Sequence, residues 1–471
     1  MGRYKKTIIS IRNTQFLFFN MKPNQFLLIM LFSIPLLLPG SVFAQKTVKE
    51  QKTLNNATLQ ECINYALDNQ TIVQQSLIDE EIGDRNIKSA LSGWLPQING
   101  TGTANHNFKQ QTTVLTNNGE SSLLTFGAKN TSSFVLQADQ QFLNAGLIQA
   151  SKAAKYYRQQ YKQNTENNKI NTVVDVSKAY YDILTSKEQL NIISENIARL
   201  EKQLKDANSQ YEAGLVDKTD FQRAQISLSN SKADRKRTDE LLKYKYAYLK
   251  QLLNYQTGRE FNLAPVSATT MENDVFIDTA QVLDYQSRVE YRLLQTQKQL
   301  QKVTTSFNKW AYIPSLSGFY NYGFNYQNQQ LRDLYNVNYP SSVVGLTLNI
   351  PIFLGGKRTQ EIKISQLQER RIDLDLVDSK NQISTQYEQA LATYKSNLND
   401  LNTNKANVEI SRQVYNTIKL QYDEGIKTYL DLMTSETDLR TAQLNYLNSL
   451  YSLLASKLDV RQALGTITVN Q

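Results

Sequence analysis

The sequence is short of the residues that most site chemistry needs. Its 471 residues include one cysteine, Cys62, and one histidine, His106. A lone cysteine excludes an intrachain disulfide, and a lone histidine removes the usual basis for a metal centre or an acid–base site. No cofactor is expected, and no phosphate loop or nucleophile with its base stands out, so the chain does not read as an enzyme. Proline and glycine are scarce as well, at 8 and 18 residues. Segments that exclude both are candidates for long, uninterrupted helix. Beyond the amino-terminal leader no apolar run is long enough to cross a bilayer as a helix. If this chain enters a membrane, it does so as strands.

The net charge of +9 points to nucleic acid only until it is located. Arg3, Lys5, Lys6, Arg12 and Lys22 lie in the first 44 residues, which hold no acid, and the remainder carries 47 cations against 43 anions. That balance is too even for an electrostatic footprint, and no nucleic-acid partner is expected. Residues 1–44 read as an export signal, with Met21 an alternative start. Met21-Lys22 is a charged opening, Phe26 to Leu38 an apolar core, and Val42-Phe43-Ala44 a small-residue cleavage site before Gln45. The core is shorter than the roughly 20 residues of a spanning helix. No cysteine follows the cleavage site, so a lipid anchor is absent there.

From Thr58 to Gly93 apolar residues recur at helical spacing, and Trp94-Leu95-Pro96 ends the run. Strands are predicted near 97–109 and 132–143. In the first, Ile98, Gly100, Gly102 and Ala104 face one way and Asn99, Thr101 and Thr103 the other; in the second, Phe134, Leu136 and Ala138 oppose Gln137 and Asp139. Residues 110–131 read as a polar loop. Residues 147–254 contain no proline and one glycine, Gly214, and carry a seven-residue apolar seam through Val176, Tyr180, Ile183, Ile197, Leu200, Ala207 and Tyr211. Its tyrosines and leucines read as helix packing without chemistry.

The chain then repeats itself. A first repeat spans 45–254, a connector 255–280, and a second repeat 281–471. The second has strands near 315–327 and 342–352 and a hairpin over 355–465, whose only internal glycine is Gly425. The sharpest echo joins Tyr211–Asp220 to Tyr422–Asp431: at an offset of 211 residues Gly214 matches Gly425 and Asp220 matches Asp431. Each stretch reads as the tip of a long helical hairpin, with its glycine at a positive-φ turn. The fold class is mostly α with transmembrane β. Four strands cannot close a barrel; two chains would give eight strands and a filled interior, three chains twelve and a lumen. A homotrimer is expected.

These features resemble the TolC-like outer-membrane efflux channels. The likeness covers nearly all of the mature chain and rests on the duplication, Trp94-Leu95-Pro96, Pro351-Ile352-Phe353-Leu354-Gly355-Gly356 and both tips. It implies a trimer with a 12-stranded β-barrel among outer-membrane lipid, continued by a periplasmic α-helical barrel, in a Gram-negative bacterium. It also implies docking to a periplasmic adaptor (membrane fusion) protein and an inner-membrane pump, as the exit duct of a tripartite efflux or secretion system. By the same resemblance Thr219 and Asp220 would latch to positions Tyr422 and Lys427, Asp431 would ring the entrance constriction, and Gly214, Leu215, Gly425 and Ile426 would form the turns and adaptor contacts. Lys427 stands where an arginine is typical, so a contact there loses bidentate geometry, and Thr434 stands where a second acidic ring would be, so that ring is not carried over. The competing reading is a soluble periplasmic coiled-coil adaptor or scaffold without a pore, which would have one hairpin flanked by compact β domains.

Overall fold

The computed structural model describes residues 54–469 except 118–119, 215–216, 257 and 311, and leaves the side chains of 117, 120 and 121 undescribed. The export signal, its cleavage site, Met21, Leu215 and the Asn118-Gly119 turn lie outside the described residues. Two helices lead in, α1 (Leu59–Asn69) and α2 (Thr71–Leu91). The continuous pattern from Thr58 to Gly93 is thus divided at Gln70. Its backbone sits at φ −62°, ψ 130°, outside the α region. Its side chain accepts from the Ile72 amide at 2.6 Å and so caps the helix that follows.

Among the described residues six strands follow the chain as β1 (Gln97–His106), β2 (Gln111–Asn117), β3 (Glu120–Phe126), β4 (Asn130–Leu143), β5 (Ser315–Asn328) and β6 (Ser341–Asn349). Four of them form one antiparallel sheet in the order β1-β4-β5-β6. The registers Ile98↔Ala138, Leu136↔Tyr322 and Gly318↔Leu346 pair even positions with even. The alternation of each strand therefore adds up to two faces that run unbroken across the sheet. One carries Ile98, Phe134, Leu136, Tyr320, Phe324, Leu346 and Leu348, and the other Asn99, Thr101, Gln137, Asn321 and Thr347. The apolar face is bare: Ile98 is 73% exposed and Leu346 72%. β6 stops at Asn349, short of 352, since Pro351 has no N–H to donate to a ladder.

The stretch 110–131, read from sequence as a polar loop, holds the β2–β3 hairpin, paired from Gln111↔Phe126 to Asn117↔Glu120 and separate from the main sheet. Its threonines and serines mask a strand pattern that only the pairing makes evident.

The helices are α3 (Ala145–Glu212), α4 (Lys218–Leu253), α5 (Ala268–Asn273), α6 (Val289–Trp310), α7 (Lys357–Asp423) and α8 (Tyr429–Leu464). The 68 residues of α3 span about 100 Å at 1.5 Å per residue. The sequence seam is the buried seam: Val176, Ile183, Leu200 and Ala207 on α3, and Tyr387, Tyr394, Leu401 and Tyr415 on α7. Tyr211 departs from it and is 40% exposed, because the hairpin turns beside it. The largest apolar cluster joins α1, α3, α4, α7, α8 and the connector through Cys62, Leu249, Val275, Leu453 and their neighbours. Two seam tyrosines do more than pack. The Tyr394 hydroxyl donates to the Val275 carbonyl and the Tyr387 hydroxyl to that of Gln281, both at 3.1 Å, tying the connector to α7.

α3 and α8 run antiparallel and are joined by polar rungs. Gln462 donates to Asn171 at 3.0 Å, Lys178 pairs with Asp459 at 2.6 Å, and Gln189 donates to Asn448 at 2.8 Å. The two hairpins are thereby held against each other. Near the start of α3 the tryptophans of both lead-ins meet adjacent residues: the Trp94 indole donates to Ser151 at 3.1 Å, and the Lys152 ammonium lies 3.5 Å from the centre of the Trp310 ring.

Candidate functional site: the paired helical tips

The two tips are built alike. Gly214 has φ 68° and Gly425 φ 76°, and each amide donates to the carbonyl three residues back, Tyr211 or Tyr422, at 2.9 Å. Neither glycine has any atom within 4 Å of where a Cβ would stand, so the left-handed backbone alone is what a side chain would strain. The outgoing helices start at matched places, with Asp217 capping α4 and Thr428 capping α8. Asp220 and Asp431 are each the third helical residue.

At the second tip Thr428 and Asp431 close a capping box. The Asp431 carboxylate accepts from the Thr428 hydroxyl at 2.8 Å and from its amide at 3.1 Å, and the Thr428 hydroxyl accepts from the Asp431 amide at 3.2 Å. These bonds from Thr428, with the Lys427 charge adding to them, hold the Asp431 carboxyl below the usual carboxylate range. At the first tip Asp217 accepts from the Thr219 amide at 3.2 Å. The cap here is itself a carboxylate, with no proton to give the Asp220 carboxylate, and no capping box forms among the described residues.

Within this single chain no hydrogen bond among the described residues joins the side chain of Thr219 or Asp220 to Tyr422 or Lys427. Asp220 is nevertheless a neighbour of Tyr422. Burial pushes the Tyr422 phenol up, the Asp220 and Asp206 charges push it further, and a hydrogen bond from Gln210 works the other way. Lys427 is exposed, and its amide donates to the Gln421 carbonyl at 3.2 Å. Ile426 is 72% exposed at the apex.

Two residues that sequence reading passed over organise this end. Tyr429, the first residue of α8, is 4% exposed and packs with Ala207 of α3 and Ala224 of α4, its ring 6.1 Å from that of Tyr422 in an edge-on contact. Glu436 is buried at 3% exposure and takes three hydrogen bonds from α3: Asn196 at 2.9 Å, Arg199 at 2.9 Å and Gln203 at 2.6 Å. Both were visible as departures. The 211-residue offset sets Lys218 against Tyr429 and Gln225 against Glu436, and Glu436 falls at seam spacing between the buried Leu432 and Leu439.

Comparison with known proteins gives this arrangement its context. The family described as outer membrane efflux protein matches residues 62–255 and 307–466, one segment in each repeat. The chain belongs to the outer membrane efflux protein family. The outer membrane protein TolC of Vibrio cholerae is 24% identical over 424 residues, covering 87% of this chain and 91% of that protein. The outer membrane efflux protein BepC of Brucella suis is 21% identical, covering 92% and 91%. Among solved structures, the open state of the Neisseria gonorrhoeae MtrE outer membrane channel shares the fold at a TM-score of 0.68 and 16% identity, covering 87% of this chain and 91% of that one. VceC of Vibrio cholerae does so at 0.66 and 13%, covering 86% and 96%. The protein is a TolC-like efflux channel of the outer membrane, and a transport duct rather than an enzyme. The soluble adaptor reading is not favoured: two hairpins share one sheet here, where an adaptor would have a single hairpin between compact β domains.

Proposed function

We propose that three copies of this chain form the exit duct of a tripartite efflux or secretion system. Substrates from an inner-membrane pump would pass a periplasmic adaptor, enter at the helical tips and leave through a 12-stranded barrel. One observation carries the reading: the sheet ends in two edge strands, β1 and β6, each paired on one side only, and its apolar face is exposed at Ile98, Tyr320, Leu346 and Leu348. An open sheet edge is intolerable in hydrocarbon, so the β1 edge of one copy must meet the β6 edge of the next. Three copies leave the Asn- and Thr-rich face around a lumen that eight strands would fill. The tryptophan junction at the head of α3 suits the interfacial belt where sheet gives way to helix.

At the entrance, three Asp431 carboxylates would sum their potential and gather cations. Thr219 and Asp220 would meet Tyr422 and Lys427 across the boundary between hairpins, and Gly214, Gly425, Leu215 and Ile426 would offer turns and apolar contacts to the adaptor. Outer-membrane fractionation with cross-linking tests the assembly: trimers in the membrane are expected, and soluble monomers would refute it. Single-channel recording tests the entrance. Asp431→Ala is expected to weaken cation block, and unchanged block and selectivity would remove Asp431 from the constriction. Recovery of an adaptor and pump with the tagged chain is the expected sign of the tripartite system.

A further inference from the structure

We infer that Glu436 is the positioning residue of the second tip: it clamps the start of α8 onto the first hairpin and so sets where Asp431 stands. The inference rests on the duct reading and adds to it a residue outside the tip segments.

Three features separate this contact from the other rungs between α3 and α8. Glu436 is 3% exposed, whereas Asp459, the acid of the Lys178 rung, has a side chain 45% exposed. Its two carboxylate oxygens accept three hydrogen bonds, two of them from neutral amides, so a buried charge is met on every side available to it. The bonds also close a ring over three helices. Ser231 of α4 donates to Asn196 at 3.0 Å, and Arg440, one turn beyond Glu436, donates to Ser231 at 3.0 Å. Chained hydrogen bonds in a dry site reinforce one another, and losing one member leaves the rest unpaired.

Position gives the clamp its consequence. Glu436 lies five residues after Asp431, or about 7.5 Å along the helix axis. Nearer the tip, Tyr429 is fitted between α3 and α4 by packing, with no hydrogen-bond partner for its hydroxyl. Ser227 of α4 also donates to the Met433 sulfur at 3.2 Å, a weak acceptor, so among the described residues the ring around Glu436 is the charged constraint on α8 nearest the tip, and a movement of Asp431 off the axis must break it or carry the first hairpin along.

Purified full-length chain tests this with Glu436→Gln, which keeps the shape and puts an amide NH2 against the α3 donors, and with Arg199→Gln and Arg199→Lys. Amide exchange over residues 429–440 reads the position of α8 whether or not the channel conducts. Glu436→Gln is expected to speed it about tenfold, the scale of one charged hydrogen bond. Arg199→Gln is expected to do the same and Arg199→Lys less, with trimers retained and single-channel open probability raised in the same order. Unchanged exchange, or faster exchange with conductance and cation block unaltered, overturns the inference. A wild-type chain that conducts nothing would instead overturn the duct reading, and the exchange result would still decide the clamp.

Discussion

Asp431 accepts two hydrogen bonds from Thr428, while Asp220, at the same helical position of the other tip, faces an aspartate cap and has no such box. The duplication thus preserved an acid at each tip but tied down only one of them. A tethered carboxylate presents its charge in a fixed direction, and that suits a constriction.

The tether makes a pH prediction. Asp431 has a folded pKa below its ordinary value. Its stabilising contribution is present above the unfolded value and is lost only as pH falls through the lower folded one. Cation block is expected to persist as pH is lowered through about 4, the ordinary aspartate value, and to fade below it. Thr428→Ala should move that fade up toward the ordinary value. A midpoint that the substitution leaves in place would show that the box does not control the charge.

The sheet faces predict a split between neighbouring positions. Leu346→Arg places a charge on the bare apolar face and is expected to cost about 2–4 kcal/mol near the bilayer midplane, with loss of heat-resistant trimers. Thr347→Arg, one residue on and facing the opposite way, should leave assembly intact and alter conductance. Equal damage from both would contradict a lipid face and a lumen face.

Glycine substitutions separate conformation from space. Gly465 has φ 70° and caps α8 where a Cβ would come within 2.7 Å of the Ser287 backbone. Gly465→Ala is expected to destabilise by about 2–4 kcal/mol, from backbone strain plus a clash with unyielding backbone atoms. Gly214→Ala has strain and no clash, and should cost about 1 kcal/mol. Thermal unfolding of the two variants in detergent gives the comparison, and similar midpoints would refute it.

Cys62 is fully buried in the core beside α3, and burial, with a smaller push from Glu61, raises its thiol pKa to about 12. The folded protein is expected to resist maleimide at pH 8 and to react once denatured. Cys62→Ser should cost about 1–3 kcal/mol by burying a hydroxyl, and Cys62→Ala less. Rapid labelling of native protein would show that the core around α1 opens.

Much of the tip could be read in advance. Gly214 and Gly425 are the sole glycines of two long proline-free runs, and a helix broken once in that way announces its turn. Glu436 was harder to find. A glutamate at seam spacing between Leu432 and Leu439 shows as a departure from the apolar pattern, but nothing local points to its three partners on α3, 233 to 240 residues away along the chain. Gln70 was missed for the opposite reason: a local cap divided a helix whose apolar spacing ran straight through it.

Local order determined the rest. Repeating apolar spacing specified the long helices, period-two alternation specified four strands, and a 211-residue echo specified two equivalent tips, because each helix, strand and tip carries its own signal within its own segment of chain. Tertiary structure alone decided that the registers join even positions to even, that 110–131 pairs as a hairpin, and that Tyr429 and Glu436 of one repeat lodge in the other. Those outcomes depend on contacts between distant segments, whose partners leave no period in the sequence and are selected only when burial and hydrogen bonding are satisfied together.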